Sequence, residues 1–288
     1  MEIGCGNGEF LTLLCELGEN RGIGFDPAYM ENRSPSGAAD KIKFIKDVYS
    51  GKYSDFQADF ICCKMTLEHI QYPFDLIKSI RHNIGGPSDT VVVFQVPNAG
   101  KILDEYVFWD VYYEHCSYFT HRSLGNLFQA SGFEVLNIST EYNEQYLLIE
   151  ARPVGPSGSV KVYQSEDIVS LARKVEDFST NCPPRIEMWR ERLRRMHQDG
   201  KRVVLWGAGS KAVAFLTTLE IRDEIEFAVD INPHKNMTYL AGTGHKILMP
   251  DYLQEKPPDA VVIMNPIYRD DVKTDVAKMG LSPELITP

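Results

Sequence analysis

The residues best suited to chemistry stand close together in the stretch DVYYEHCSYFTHRSL, at positions 110–124. Tyr112, Glu114 and His115 place a hydroxyl, a carboxyl and an imidazole almost side by side. A carboxyl next to an imidazole supplies an acid and a base whose pKa values burial can separate. The stretch therefore predicts general acid–base chemistry in a loop between a strand and a helix.

A second candidate site is the turn EIGCGNG, at positions 2–8. It lies between a strand end and an amphipathic helix, where glycines let the backbone approach a ligand closely. Asp26 ends the next predicted strand, where a carboxylate can accept hydrogen bonds from ribose hydroxyls. The form GxGxG with a leading acid differs from the GxGxxG of a pyrophosphate-binding turn, so it favours a cofactor other than NAD. The residues of this candidate site are Glu2, Gly4, Cys5, Gly6, Gly8 and Asp26, of which the glycines and Asp26 are the types that such a turn needs for close approach and for a ribose.

A third candidate site is a second glycine turn in the other half of the chain. Gly207, Gly209 and Ala212 form GxGxxA after an apolar strand, and Asp230 ends the next strand. By pattern alone this is a dinucleotide fingerprint, which makes an NAD-dependent oxidoreductase an alternative function. This half has no cluster of acids and bases comparable with residues 112–115, which argues against redox catalysis.

The elements that would position these sites alternate between strand and helix. Apolar runs predict strands at 22–26, 42–47, 58–65 and 90–97, and apolar spacing of three and four residues predicts helices at 8–18 and 74–85. Nearly continuous apolar strands separated by helices indicate a parallel sheet covered on both faces. A helix and strand at 123–140, followed by a strand at 145–153, predict an antiparallel hairpin at the sheet edge.

The second half repeats this alternation after a change in composition at residues 152–160, where Pro, Gly and Ser accumulate. A helical stretch follows from about 163 to 199, with an expected break at the CPP of 182–184. The fold class is therefore α/β, with a doubly wound Rossmann-like domain and a second Rossmann-like domain. The expected boundaries are a first domain at 1–152, a linker at 153–162 and a second domain at 163–288.

Composition limits the classes of function. The chain has 288 residues, of which 43% are hydrophobic, and a formal net charge of −10. An acidic chain lacks the basic face that binds a nucleic-acid backbone, and no apolar run is long enough to span a membrane. The six cysteines form no CxxC pair, which indicates reduced, cytoplasmic usage and no metal site.

Several stretches resemble known families. EIGCGNGEFL resembles motif I of the class I S-adenosylmethionine-dependent methyltransferases. YYEHCSYFTHRSL resembles the YxEHxSYFS stretch of the sugar C-methyltransferases, which act on nucleotide-linked 4-keto-deoxysugars. TLEHIQYP and VLWGAGSKA with VDINPHKNMTYLAGTGHKI resemble further parts of that family, so the resemblance spans nearly the whole chain.

The resemblance implies how S-adenosylmethionine and the substrate would bind. Glu2 and the backbone of Gly4–Gly8 would face the methionine part of the cofactor. Asp26 would hold its ribose, and Asp47, at the end of the third strand, would lie near its adenine. The second glycine turn would lie near the diphosphate of a nucleotide-linked sugar, through Gly207, Gly209, Ser210 and Lys211.

The resemblance also implies a reaction. A ketone at C4 of the sugar acidifies the proton on C3, and His115 would be the general base that removes it. Glu114 and Tyr112 would orient the substrate and stabilise charge, and His69 would steady the enolate or keto oxygen. The carbon would then attack the methyl group in line.

Two other functions remain open from the sequence. One is O- or N-methyl transfer to another small metabolite, which needs only motif I and a base. The other is a non-catalytic module that binds nucleotide sugars.

The resembled family carries a cysteine-rich metal-binding domain and leading helices ahead of motif I. A shortened gene prediction, a fragment, or a short variant completed by a partner chain would each explain their absence from this sequence.

Overall fold

Two units of structure make up the chain, whose computed structural model describes residues 1–31, 40–86, 89–155 and 167–288. The first unit comprises Met1–Gly100 with Glu114–Ile168, and the second comprises Lys101–Tyr113 with Val169–Pro288. Residues 101–113, which the sequence prediction includes in the first domain, thus belong to the second unit. The reason is aromatic packing, because Phe108 and Trp109 lie with their ring centroids 5.8 and 6.1 Å from that of Phe215. The predicted linker at 153–162 lies mostly outside the described residues.

The first unit is built on one sheet. Its strands are β1 (Glu2–Ile3), β2 (Gly22–Phe25), β3 (Ile42–Ile45), β4 (Phe60–Lys64), β5 (Val91–Pro97), β6 (Phe133–Glu141) and β7 (Tyr146–Pro153). The strand order is β3-β2-β1-β4-β5-β7-β6. Strands β1 to β5 pair in parallel, and β6 pairs with β7 antiparallel, which confirms the predicted hairpin. The chain order reverses between β1 and β4, so their carboxyl ends form the switch point where such sheets bind ligands.

The helices of the first unit have apolar faces that supply its core. They are α1 (Glu9–Gly18), α2 (Pro73–Ile84) and α4 (His121–Ala130). A short helix, α3 (Ala99–Asp104), begins at the last two residues of Met1–Gly100, and its other residues belong to the second unit. Leu11 of α1, Ile77 and Ile80 of α2, and Leu124 and Phe128 of α4 are buried. These positions follow the spacing of three and four residues that predicts a helix.

The second unit contains a five-stranded parallel sheet. Its strands are β8 (Val203–Trp206), β9 (Ala228–Val229), β10 (Ile247–Leu248), β11 (Ala260–Ile263) and β12 (Glu284–Ile286), in the order β10-β9-β8-β11-β12. Its helices are α5 (Ile168–Gln198), α6 (Ser210–Leu219) and α7 (Arg269–Lys278). Two Rossmann-like sheets are therefore present, as the alternation of strands and helices predicts. None of the described helices is both long and apolar enough to cross a membrane.

The expected break in the long helix is wrong. Helix α5 runs through Pro183 and Pro184 without interruption, although each proline removes a backbone donor and crowds the preceding turn. Its buried side includes Cys182, Trp189 and Leu193, which pack in the core of the second unit. Packing along this face offsets the local preference, because tertiary contacts supply most of the stability of a protein helix.

Candidate active site

The glycine turn after β1 lies against the loop that follows β4. The three glycines Gly4, Gly6 and Gly8 have φ angles of 72°, 55° and 87°, in the left-handed region that favours glycine. A Cβ on Gly4 would lie 2.1 Å from the Thr66 hydroxyl oxygen, and a Cβ on Gly8 would lie 2.3 Å from the Phe44 ring. These two glycines are therefore required by close packing as well as by their conformation.

Gly6 differs from its two neighbours. A Cβ on Gly6 would meet no atom within 4 Å, so this part of the turn faces open space. Its backbone N–H donates to Asp26 Oδ2 at 2.9 Å, and the amide of Ala28 donates to Asp26 Oδ1 at 2.7 Å. Asp26 therefore fixes the shape of the turn and lies at the place where the sequence predicts a ribose contact.

Cys5 is buried, which raises the pKa of its thiol to about 12, so it contributes packing and backbone rather than a thiolate.

Glu2 is almost fully buried, with 3% of its surface exposed. Among the described residues its Oε2 has no hydrogen-bond partner. Burial raises the pKa of Glu2 to about 7, and the charge of Lys64 opposes this rise only in part. The carboxyl of Glu2, which precedes the turn, would thus be held in its ionised form by a nearby cationic ligand.

This buried carboxyl predicts a pH dependence of stability. The pKa of Glu2 rises from 4.5 to about 7 on folding, so the folded chain binds more protons between these values and loses stability as the pH rises through them. Glu2→Gln removes this titration. We therefore expect the free energy of unfolding of the variant, relative to that of the wild type, to increase by about 3 kcal/mol from pH 4.5 to pH 8. Urea unfolding at both pH values measures the gain. A gain equal to that of the exposed Glu16→Gln would contradict it.

Asp47 organises the chain after β3. Its Oδ1 accepts from the amide of Val48 at 2.8 Å, and its Oδ2 accepts from the Tyr53 hydroxyl at 2.6 Å and from the Lys52 ammonium. The hydrogen bonds from Lys52 and then Tyr53 lower the pKa of Asp47 to about 2. The carboxylate is therefore ionised and already partnered, and its predicted contact with adenine stays a prediction.

The sequence prediction missed an aromatic pair near this turn. The rings of Tyr29 and Phe44 stack with centroids 4.5 Å apart, and both line an open groove of about 690 Å³ together with Met30, Glu31 and Lys46. A flat, partly exposed aromatic surface close to Asp26, the acid for which the sequence predicts a ribose contact, suits a purine ring. The signal in the sequence is the Tyr that follows Asp26 in FDPAYM.

Two histidines from distant parts of the sequence meet after β4. The ring centroids of His69 and His115 lie 4.9 Å apart, with the rings nearly perpendicular. His69 Nδ1 lies 3.0 Å from the carbonyl oxygen of Glu114. A carbonyl can only accept, so Nδ1 carries the proton, and in a neutral His69 the other ring nitrogen, Nε2, is an acceptor. The structure therefore brings together two of the predicted catalytic residues.

A third group completes this site, and the sequence prediction missed it. Polar atoms of Glu68, His69 and His115 lie within 4.8 Å of one another. Glu68 is 1% exposed, and neither of its carboxyl oxygens has a hydrogen-bond partner among the described residues. Burial raises its pKa to about 7. The signal in the sequence is the acid beside His69 in TLEHI, but only the fold shows that it faces His115.

The other two predicted catalytic residues lie differently. The side chain of Glu114 is exposed, and its backbone carbonyl accepts a hydrogen bond from His69 and so orients that imidazole. Tyr112 belongs to the second unit, where its hydroxyl donates to Asp110 Oδ1 at 2.7 Å. Their predicted contacts with a substrate remain predictions.

The second glycine turn has its own acid. Gly207 has a φ of 98°, and Gly209 precedes α6. Asp230 Oδ2 accepts from the amide of Ala208 at 2.9 Å and from Lys235 Nζ at 2.8 Å. Burial acts to raise the pKa of Asp230, but these donors outweigh it and leave the pKa below its ordinary value. The acid of the apparent dinucleotide fingerprint thus already has cationic and backbone partners.

Lys211 pairs with an acid rather than standing alone near this turn. Its Nζ lies 2.6 Å from Asp110 Oδ2, and the two side chains are 17% and 15% exposed. The sequence predicts Lys211 as a charge partner of a diphosphate, and in the structure its ammonium has Asp110 as a partner. The segment 101–113 could not be recognised as that partner from sequence spacing alone.

This ion pair predicts a stability effect. Removing one member of a mostly buried pair leaves the other charge poorly compensated, which costs about 3 kcal/mol. We expect Lys211→Met to lower the free energy of unfolding by this amount, and less when combined with Asp110→Asn. The matched control is Lys278→Met, because its pair with Asp275 is 71% and 42% exposed and contributes under about 1 kcal/mol. Equal losses in Lys211→Met and Lys278→Met would contradict the prediction.

Comparisons with known proteins cover both halves of the chain. A family profile described as a methyltransferase domain matches residues 1–138, and one described as a C-methyltransferase C-terminal domain matches residues 160–282. The chain is similar to C-methyltransferase NovU of Streptomyces niveus, with 24% identity over 289 residues that cover 94% of this chain and 67% of that protein.

Solved structures similar to the chain are also methyltransferases. CalO1, a methyltransferase in calicheamicin biosynthesis, is 20% identical with a TM-score of 0.42, and the match covers 53% of this chain and 48% of that chain. N,N-8-amino-8-demethyl-D-riboflavin dimethyltransferase from Streptomyces davawensis is 19% identical with a TM-score of 0.39, over 53% of this chain and 48% of that chain.

Proposed function

Since the chain belongs to the S-adenosylmethionine-dependent C-methyltransferases, we propose that it methylates the carbon next to the ketone of a nucleotide-linked 4-keto-deoxysugar. The observation that carries this proposal is the imidazole pair of His69 and His115, with ring centroids 4.9 Å apart. A proton next to a ketone is acidic enough for a positioned imidazole to remove. Methyl transfer to an alcohol or an amine needs only a single base.

The glycine turn fits S-adenosylmethionine. Gly6 faces open space, so a ligand can approach its backbone closely. The carboxylate of Asp26 lies beside the turn to accept from ribose hydroxyls, and the buried Glu2 has an unpartnered oxygen that a cationic ligand would compensate. When bound, the cofactor supplies an electrophilic methyl group, and these residues would hold it in place.

His115 is proposed as the general base. Removal of the C3 proton transfers it to an imidazole nitrogen of His115, and the electron pair of the broken bond delocalises into the C4 ketone as an enolate. His115 is half-buried and lies next to His69, and a positioned imidazole is the side chain that most often serves as a general base.

His69 is proposed to stabilise the oxygen of the enolate. Because its Nδ1 donates to the carbonyl of Glu114, a neutral His69 offers the substrate only an acceptor. It can donate to an enolate oxygen only as the imidazolium, which has a second N–H. The proposed mechanism therefore needs one positive charge on the histidine pair while His115 is neutral, and Glu114 contributes by orienting His69 through its carbonyl.

The second unit is proposed to bind the nucleotide diphosphate part of the substrate. The residues concerned are Gly207, Gly209, Ser210 and Lys211. The amino end of α6, at Ser210, carries partial positive charge that favours a phosphate. Tyr112 is proposed to orient the sugar, with its hydroxyl held by Asp110.

Proton exchange at C3 tests the proposed chemistry without requiring turnover. A thymidine diphosphate-linked 4-keto-6-deoxyglucose in heavy water should lose its C3 proton signal when the wild-type protein and S-adenosylhomocysteine are added. Calorimetry should show saturable binding of S-adenosylhomocysteine and no binding of NAD. Binding of S-adenosylhomocysteine without exchange at C3 would favour methyl transfer to another acceptor molecule. Binding of thymidine diphosphate without binding of S-adenosylhomocysteine would favour a non-catalytic module.

A further inference from the structure

A buried carboxyl beside the histidine pair has no assigned role in the chemistry described above. Glu68 lies in the short 3-10 turn Leu67–His69 after β4, with 1% of its surface exposed. Its two carboxyl oxygens make no hydrogen bond within the described part of the chain. Burying a carboxyl without hydrogen-bond partners costs free energy. A carboxyl buried at this cost next to a proposed catalytic pair is therefore a candidate for a functional role.

The backbone fixes Glu68 relative to the histidines. Its carbonyl oxygen accepts from the amides of Cys116 and Ser117 at 2.8 and 3.2 Å. His69 Nδ1 contacts the carbonyl of Glu114 at 3.0 Å. These three hydrogen bonds join the turn after β4 to the loop that carries His115. The short distances between Glu68, His69 and His115 are thus held by the backbone and do not depend on flexible side chains alone.

We propose that Glu68 is a positioning residue that supplies the negative charge compensating one proton shared by His69 and His115. This inference rests on the proposed function and deepens it. Polar atoms of all three residues lie within 4.8 Å of one another, a distance at which an ionised carboxyl strongly favours an imidazolium. When His115 takes the C3 proton, a second positive charge forms on the pair, and the Glu68 carboxylate stabilises it. Glu68 itself does not contact the substrate.

The surroundings of Glu68 support this assignment. Among the described residues, titratable groups near this carboxyl include His69 on its own turn, His115 on the neighbouring loop and the buried thiol of Cys63 on β4. Of these three groups, the two histidines are the ones that can carry positive charge. Burial raises the pKa of Glu68 to about 7, which places its ionisation close to that of an ordinary imidazole. Ionisable groups whose polar atoms lie within 4.8 Å of one another interact strongly enough to titrate as a coupled group.

The pairing can be measured without any substrate. In the wild-type protein, the imidazole signals of His115 and His69 and the carboxyl carbon of Glu68, followed by NMR from pH 5 to 9, should share common titration midpoints. In Glu68→Gln, the midpoint of the histidine pair should fall by about one pH unit, because the compensating charge is lost. Glu68→Asp should give an intermediate midpoint. The control is Glu141→Gln, an exposed residue on β6, which should leave both midpoints unchanged.

Kinetics provide the second readout. At pH 7, Glu68→Gln should slow C3 proton exchange about tenfold, with binding of S-adenosylhomocysteine within about twofold of the wild type. Glu68→Asp should recover part of the rate. Unchanged histidine midpoints in Glu68→Gln, or wild-type signals of Glu68 and the histidines that titrate independently, would overturn the proposal. So would loss of exchange after chelator treatment and its return with Zn²⁺, because Glu68 would then be a metal ligand.

The two proposals fail in different ways. If the wild type shows no exchange at C3, the proposed sugar chemistry is wrong, while the NMR titration still decides whether Glu68 compensates the histidine pair. If Glu68→Gln does not fold, the NMR titration of the wild type still shows whether Glu68 and the two histidines titrate together, and so tests the proposal.

Discussion

His115→Ala is expected to lower the rate of C3 proton exchange by about 10²–10⁴-fold, the range that a general base contributes. The variant removes the imidazole that faces His69 but leaves the glycine turn unchanged. Binding of S-adenosylhomocysteine should therefore stay within about twofold of the wild type. Deuterium incorporation at C3, followed by NMR, measures the rate, and calorimetry measures the binding.

A second histidine in the same loop region provides the control for His115→Ala. His121 is exposed at the start of α4, and its Nε2 lies 3.1 Å from the carbonyl oxygen of Ile138. His121→Ala should keep the exchange rate within about twofold. Equal losses of exchange in both variants would show that the effect of His115→Ala is structural, and undiminished exchange in His115→Ala would exclude His115 as the base.

The glycine turn should respond to substitution in two distinct ways. Gly4→Ala adds a Cβ that would lie 2.1 Å from the Thr66 hydroxyl in a left-handed conformation, so we expect it to lower the free energy of unfolding by about 2–4 kcal/mol. Gly6→Ala meets open space and should cost only about 1 kcal/mol. Its Cβ would occupy the side of the turn proposed for the cofactor, so it should weaken binding of S-adenosylhomocysteine at least about tenfold.

The tryptophans give this comparison an internal reference. Trp109, Trp189 and Trp206 all lie in the second unit, so their fluorescence reports on that unit, while far-ultraviolet circular dichroism reports on both. Gly4→Ala should shift the urea transition seen by circular dichroism more than the transition seen by fluorescence. If Gly4→Ala and Gly6→Ala lose the same stability and the same affinity, the close packing of Gly4 and the ligand-facing role of Gly6 are both wrong.

Much of the fold follows from local patterns in the sequence. Strands β2 to β5 and helices α1 and α2 coincide with the predicted apolar runs and helical spacings within a few residues. The edge hairpin of β6 and β7 follows from the helix stop at Gly132, just after α4, and from the strand patterns that end at residue 140 and begin at residue 145. Local signals of this kind are strong because each element must bury an apolar face.

The features that the sequence did not reveal depend on contacts between distant segments. Helix α5 continues through Pro183 and Pro184 because its buried side is anchored in the core of the second unit. Lys211 forms an ion pair with Asp110, which is 101 positions away in the sequence, and no spacing rule predicts such a pair. Local propensities give way wherever tertiary packing has more to contribute.

The candidate site divides in the same way. The glycine turn and Asp26 are recognisable because a ligand-binding turn needs glycine conformations and an acid at a fixed place on the fold. The sequence does not indicate Glu68 because its neighbour His115 lies on a distant loop, which hydrogen bonds such as those from the amides of Cys116 and Ser117 join to the turn of Glu68. The resemblance of YYEHCSYFT places Tyr112 in the predicted site, and the structure adds that its hydroxyl donates to Asp110, while its contact with a substrate stays a prediction.

Transfer of a labelled methyl group tests the central claim most directly. The protein is incubated with S-adenosylmethionine carrying a ¹³C-methyl group and a thymidine diphosphate-linked 4-keto-6-deoxyglucose, and the product is examined by carbon–proton correlation NMR. We expect the labelled methyl signal to correlate with C3 of the sugar as a carbon-bound methyl group, with one S-adenosylhomocysteine formed per methyl transferred. A labelled methyl group on an oxygen or nitrogen atom, or bound cofactor and sugar with no transfer, would contradict the account.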